Sequence, residues 1–216
     1  MRPFARHLTA LTLVLAAGTT QAAVIPVNAA AGLSAPADTT LDFNTLSGFL
    51  GLSFQPSPEV EISGLSLTGF TGGGFPGISG RWINAGGNPD QAANTTTISF
   101  LGTVTGAAIR IATNLTAPST GFPQTMVTAL LNGMEVGSYS LQTSTNIAAN
   151  WIGFEGMAFD TLRILPGGQN GAHHLDNLQF SGFQPTQTSQ PASAPATVML
   201  LLAGLAGAFA RGRATT

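Results

Sequence analysis

Trp82 stands among Arg81, Asn84, Asn88 and Asp90, a set whose types and spacing can do chemistry. An indole face can stack on a sugar ring, and short polar side chains in a turn can hydrogen-bond its hydroxyls. The competing reading is that Trp82 and Trp151 both fill a core. His173 and His174 are adjacent, and the only other histidine is His7. Neighbours on a strand point to opposite faces, so the pair cannot chelate one ion, and no zinc site is expected. Cysteine is absent, which removes disulfides and thiolate metal sites. Neither Gly-x-Ser-x-Gly nor His-Glu-x-x-His occurs, and no lysine follows the Gly72–Gly77 run to make it a phosphate cradle. No catalytic residue is assigned and the protein reads as a non-enzyme. A secreted hydrolase with a dispersed Ser–His–Asp set is the enzymatic alternative.

The elements that must position these groups are short strands. Residues 39–43, 50–54 and 60–67 have strand character, with Val60 and Ile62 on one face and a phase shift at Gly64 that predicts a bulge. Trp82 and Ile83 lie in a short strand before a Gly- and Asn-rich turn. Residues 95–101 and 104–112 predict a hairpin turning at Gly102, with Arg110 outward. Met126–Leu131 and Met134–Leu141 flank Asn132-Gly133, the strongest short hairpin signal. Residues 151–154 and 157–165 follow, with Arg163 outward between Leu162 and Ile164, and residues 174–180 make the last strand. About ten strands separated by turn clusters, with helix only at the two ends, predict an all-β antiparallel sandwich. Its expected core holds Ile98, Phe100, Ile109, Ile111, Leu162, Ile164, Leu178 and Phe180.

The two ends are different in kind. Met1–Ala22 has Arg2 and Arg6, an apolar stretch from Leu8 to Ala17, and Thr20-Gln21-Ala22, so it reads as a signal peptide cut between Ala22 and Ala23. Residues 23–38 read as an extended lead-in, 39–183 as the sandwich, and 184–195 as a Pro, Ser, Thr and Gln linker. Residues 196–216 open with fifteen uncharged positions and close on Arg211 and Arg213, which predicts a short transmembrane helix with its basic end cytoplasmic. Between the ends, residues 23–189 hold three basic residues against nine acidic ones, a formal charge of −6. That balance supplies no basic footprint for nucleic acid, which is not expected as a partner.

The tail resembles the PEP-CTERM sorting signal of Gram-negative bacteria. Pro195, Ala196 and Thr197, the Leu200–Gly207 run and the two arginines carry the resemblance, while Ala194 stands where the family has glutamate. It implies processing by signal peptidase and an exosortase, a transient inner-membrane anchor, and release to the cell surface or extracellular matrix. Leu41-Asp42-Phe43-Asn44 and Leu175-Asp176-Asn177-Leu178-Gln179-Phe180 resemble the first and last strands of jelly-roll domains found in such proteins and in carbohydrate-binding modules. That implies pairing of the first strand with the last, and a calcium site on Asp42, Asn44 and Asp176, since calcium takes six to eight oxygens. The alternative for Asp176 is local bonding to backbone amides. Calcium is the only cofactor in view. The resemblances imply an exported structural or adhesive protein embedded in exopolysaccharide, with a stand-alone carbohydrate-binding module as the alternative.

Overall fold

The computed structural model describes residues 23–24, 32–71, 80–88, 91–113, 124–145, 150–167 and 171–186. The predicted signal peptide with Ala22, the sorting residues Pro195, Ala196, Thr197, Arg211 and Arg213, the Gly72–Gly77 loop and Asp90 lie outside them. The strands are β1 (Ala23–Val24), β2 (Thr39–Leu41), β3 (Gly48–Ser57), β4 (Val60–Thr71), β5 (Arg81–Ala85), β6 (Thr96–Thr113), β7 (Thr125–Leu131), β8 (Met134–Leu141), β9 (Trp151–Leu165), β10 (His173–Ser181) and β11 (Gln184–Pro185). One 3₁₀ turn, Gln91–Asn94, precedes β6. The fold is all-β, and every strand pairing among the described residues is antiparallel.

β6 and β9 organise it. They are 18 and 15 residues long, and their mutual register slips between Ser99 and Gly106. Such slips bend paired strands, so each of the two can serve in two layers. In the first layer the order is β3-β4-β6-β9-β7-β8. In the second, β10 takes the place of β4 beside β6, with β2 and β5 on its far side and β1 on the far side of β9. β4 also continues onto β5, so β4, β6, β10 and β5 close a ring of paired strands that leaves them little open edge.

The two layers face each other across aromatic residues. Tyr139 of β8 accepts the Gly153 amide of β9 at 2.9 Å, and its ring meets Phe154 edge-on at 5.2 Å. Phe100 contacts Phe159 and Phe180. All eight residues expected in the core are buried, with 4% exposure at most. Each such side chain contributes about 1.5–3 kcal/mol of burial. Asn132 and Gly133 carry φ of 51° and 78°, the positive pair that a two-residue hairpin requires. Leu41 pairs with Leu178 and Thr39 with Phe180, so the first strand of the domain does lie against the last long one. The phase shift in β4 is real: Val60 and Ile62 point inward, Ser66 has φ of 53°, and Leu67 then takes the inward place.

Three expectations are corrected. Gly102 does not turn; it lies inside β6, where β11 passes so closely that an added Cβ would overlap the Gln184 carbonyl. Residues 151–154 and 157–165 are one strand, bent rather than broken at Gly156, which has φ of 78°. The ordered module also exceeds 39–183: β1 pairs with β9, residues 32–38 lie against the second layer, and β11 extends into the expected linker.

Candidate functional site

In the first layer the inward positions are mainly apolar, with buried Thr96 and Thr125 among them, and the outward ones carry mostly hydroxyls. Register alone assembles one transverse row of Ser53, Ser63, Thr97, Arg163, Thr128 and Ser138 across β3, β4, β6, β9, β7 and β8. The next row is Glu61, Ser99, Thr161, Leu130 and Glu135. A groove of about 330 Å³ opens on this face, lined by Thr95, Met126, Thr128, Leu130, Glu135, Arg163 and Leu165. Thr128 forms its floor, whereas Met126 is 41% exposed. Ser138 donates its hydroxyl hydrogen bond to the Glu135 carboxylate. None of these residues stood out in the sequence as a site. Alternation reveals that Arg163 points outward, but not which strands lie beside it.

The outward face of the second layer is closed. Register places Asp176, Arg110 and Trp151 in one row and Asn84, His174 and Ala112 in the next. The Arg110 guanidinium stacks over the Trp151 ring at 4.7 Å, a cation–π contact. A strap from Gly32 to Asp38 crosses this face. Its Leu33 amide donates to Gln179 Oε1 at 3.2 Å, and Ser34 donates from amide and hydroxyl to Glu155 Oε2 at 3.0 and 2.8 Å. Asp38 and the 181–182 segment bond reciprocally. Leu33 packs on Ala108 and Trp151, so Trp151 is 1% exposed.

The described residues nominated around Trp82 do not form a sugar platform. Trp82 is 3% exposed; its Nε1–H donates to His174 Nδ1 at 3.2 Å, and the Phe70 ring lies 5.6 Å from it. Arg81 donates to the Leu46 carbonyl at 2.7 Å. Asn88 and Asn94 bond each other, amide to side chain and side chain to carbonyl, and so brace the turn. Asn84 stands opposite His174 in register. Trp82 does face outward from its strand, but Phe70 and His174 enclose it, so the core reading holds.

Asp42, Asn44 and Asp176 do not assemble a calcium shell either. Asp42 Oδ1 accepts the Asn44 backbone amide at 3.1 Å, while Asn44 Oδ1 turns away to accept the Arg81 amide at 3.2 Å. Both Asp176 oxygens accept from Asn177, at 2.8 Å each, which holds Asn177 at φ of 51°. Among the described residues no cluster of three acidic or histidine side chains is placed to hold an ion. The oxygens are taken by local amides, the backbone alternative foreseen for Asp176. Burial pushes the Asp176 carboxyl up to about 6, with Asp42 adding to the rise and the Asn177 amide and Arg110 opposing it.

His173 and His174 point to opposite faces, as adjacent strand residues must. His173 Nδ1–H donates to the Gly171 carbonyl at 3.0 Å, so Nε2 accepts from the Thr96 hydroxyl at 2.8 Å. Burial holds both rings neutral, lowering each to about 4.

Neither a protein-family model nor a curated protein sequence matches this chain. Among solved structures it is similar to a family 6 carbohydrate-binding module, CsCBM6-3 of Clostridium stercorarium, solved with cellobiose. That match has 16% identity, a TM-score of 0.33, and covers 66% of this chain and 92% of the module. An exo-β-1,3-galactanase of Phanerochaete chrysosporium, solved with β-1,3-galactotriose, matches at 15% identity and a TM-score of 0.32, over 67% of this chain and 29% of the enzyme. A further family 6 carbohydrate-binding module matches at 13% identity and a TM-score of 0.30, over 67% of this chain and 94% of the module.

Proposed function

We propose that this chain is an exported, non-catalytic saccharide-binding β-module, and that the open face of the first layer is its binding surface. The observation that carries the reading is the groove there, where hydroxyls of Thr95 and Thr128 alternate with apolar Met126, Leu130 and Leu165. A pyranose presents the matching pattern: hydroxyls around its rim and C–H groups on its faces. Rows of outward Ser and Thr crossing β4, β6, β9, β7 and β8 extend the surface over about 19 Å at the usual strand spacing. That length suits an oligosaccharide stretch of a polymer rather than one ring. Among the described residues Glu135 is the one carboxylate lining the groove, whereas glycoside hydrolysis uses two. Binding without cleavage is therefore the chemistry this surface supports.

Delivery rests on the two ends. The signal peptide sends the module out, and the tail, sorted as a PEP-CTERM-like signal, anchors it in the inner membrane until an exosortase releases it into surface polysaccharide. The mass of the mature C-terminus in culture medium tests that step: a chain ending near Pro195 supports it, and one retaining Arg213 contradicts it. A glycan array tests binding itself. The purified chain should bind polysaccharides, and Thr97→Glu with Thr128→Glu should abolish the signal by placing one carboxylate in the groove and a second beside it. Binding that survives the double variant would move the site elsewhere.

A further inference from the structure

The module contains three arginines and no lysine, against nine acidic residues. Two of the arginines are committed internally: Arg81 to the Leu46 carbonyl, and Arg110 to the Trp151 ring beside Asp176. Arg163 is exposed, and among the described residues no carboxylate lies within ion-pairing distance of it. It stands near the centre of the groove face, between Thr97 and Thr128. Glu61 and Glu135 occupy opposite ends of the neighbouring row, each two strands from β9. Their backbones lie about 12 Å from that of Arg163; Glu135 reaches into the same groove, whereas Glu61 does not line it. The Glu135 carboxylate also holds the Ser138 hydroxyl. Among its described residues, an acidic module thus keeps one guanidinium without an ion pair in the middle of this face.

We infer that the groove selects an acidic polysaccharide, with the Arg163 guanidinium gripping the carboxylate of a uronic acid residue. A guanidinium presents parallel N–H donors that match both oxygens of a carboxylate, and the pair gains geometric specificity as well as strength. The Thr97 and Thr128 hydroxyls on either side are placed for the ring hydroxyls of that sugar. The apolar side chains of Met126 and Leu165 face its C–H groups. This inference rests on the saccharide-binding reading and adds the class of sugar.

The test is calorimetric titration of the purified full chain with polygalacturonate, with the same polymer after carboxyl reduction, and with dextran sulfate. Wild type should bind polygalacturonate at least about tenfold more tightly than the reduced polymer. Loss of a charged hydrogen bond predicts that Arg163→Gln weakens polygalacturonate binding about 10- to 100-fold. The reduced polymer should be unaffected by that variant, and Arg163→Lys should fall between, because it keeps the charge without the fork. Circular dichroism melts of the variants should match wild type. Equal affinity for both polymers, or an unchanged Arg163→Gln, overturns the inference while leaving saccharide binding standing. Dextran sulfate bound as tightly as polygalacturonate overturns the carboxylate assignment. No binding to any of the three polymers overturns this inference, and a blank glycan array beside it would remove the saccharide reading too.

Discussion

The two outer faces of this module are built from the same two strands and do opposite things. The first half of β6 and the second half of β9 carry Thr97, Ser99, Thr161 and Arg163 outward on the face where the groove opens, with Arg163 in its lining. The second half of β6 and the first half of β9 carry Ala108, Arg110 and Trp151 outward under the Gly32–Asp38 strap. On the strapped face every large group is engaged: Trp82 with His174, Arg110 with Trp151, Asp176 with Asn177. On the groove face the Arg163 guanidinium has no ion-pair partner among the described residues. The contrast teaches that an outward position alone does not make a site. What separates the faces is whether the chain itself covers the outward side chains.

The comparison can be broken most forcefully on the strapped side. Trp151→Ala removes a buried indole and the support of Leu33 and Arg110, and should cost about 3–5 kcal/mol by urea denaturation. Arg163→Gln, on the groove side, should stay within about 0.5 kcal/mol. If both variants lose similar stability, the two faces are not different in kind.

Acid should act through the closed groups. His173 and His174 bind protons in the unfolded chain near pH 6.5 but in the folded one only near 4, so the unfolded state takes up more protons between those values. Their contribution is intact above pH 6.5 and is lost as pH falls toward 4. Asp176 runs the other way: its folded carboxyl stays protonated up to about 6, so its term declines as pH rises from 4 to 6. Two histidines outweigh one aspartate, and stability should fall on acidification. His174→Asn, which can still accept from Trp82, should flatten that fall, and Asp176→Asn should steepen it. Chemical denaturation between pH 4 and 7 checks both slopes.

Smaller effects sharpen the picture. Gly133→Ala strains a φ of 78° with no steric contact at the added Cβ, so it should cost about 1 kcal/mol. Removing calcium should change nothing: the melting temperature in chelator and in millimolar calcium should agree, because Asp42, Asn44 and Asp176 serve local amides. A calcium-dependent rise would restore that site.

Much of this fold is legible in the sequence because it is local. Period-two alternation marks Ile98, Phe100, Leu162 and Ile164 as inward, and Asn132-Gly133 states its own turn. Gly102 misleads because a glycine needed for close approach of β11 looks like a glycine needed for a turn. Trp82 misleads in a related way. Its outward direction and polar neighbours are visible, but its enclosure also needs His174, which lies on a strand 92 residues on. The groove was hidden for the same reason. Thr97, Thr128 and Arg163 become one surface only when β6, β7 and β9 pair, and that pairing joins segments more than 30 residues apart.

The most direct test is a backbone amide NMR titration of the full chain with polygalacturonate. The account predicts shifts concentrated at Thr97, Ser99, Thr128, Thr161 and Arg163, with Ala108, Trp151 and His174 unmoved. Shifts concentrated on the strapped face, or none on the groove, would contradict it.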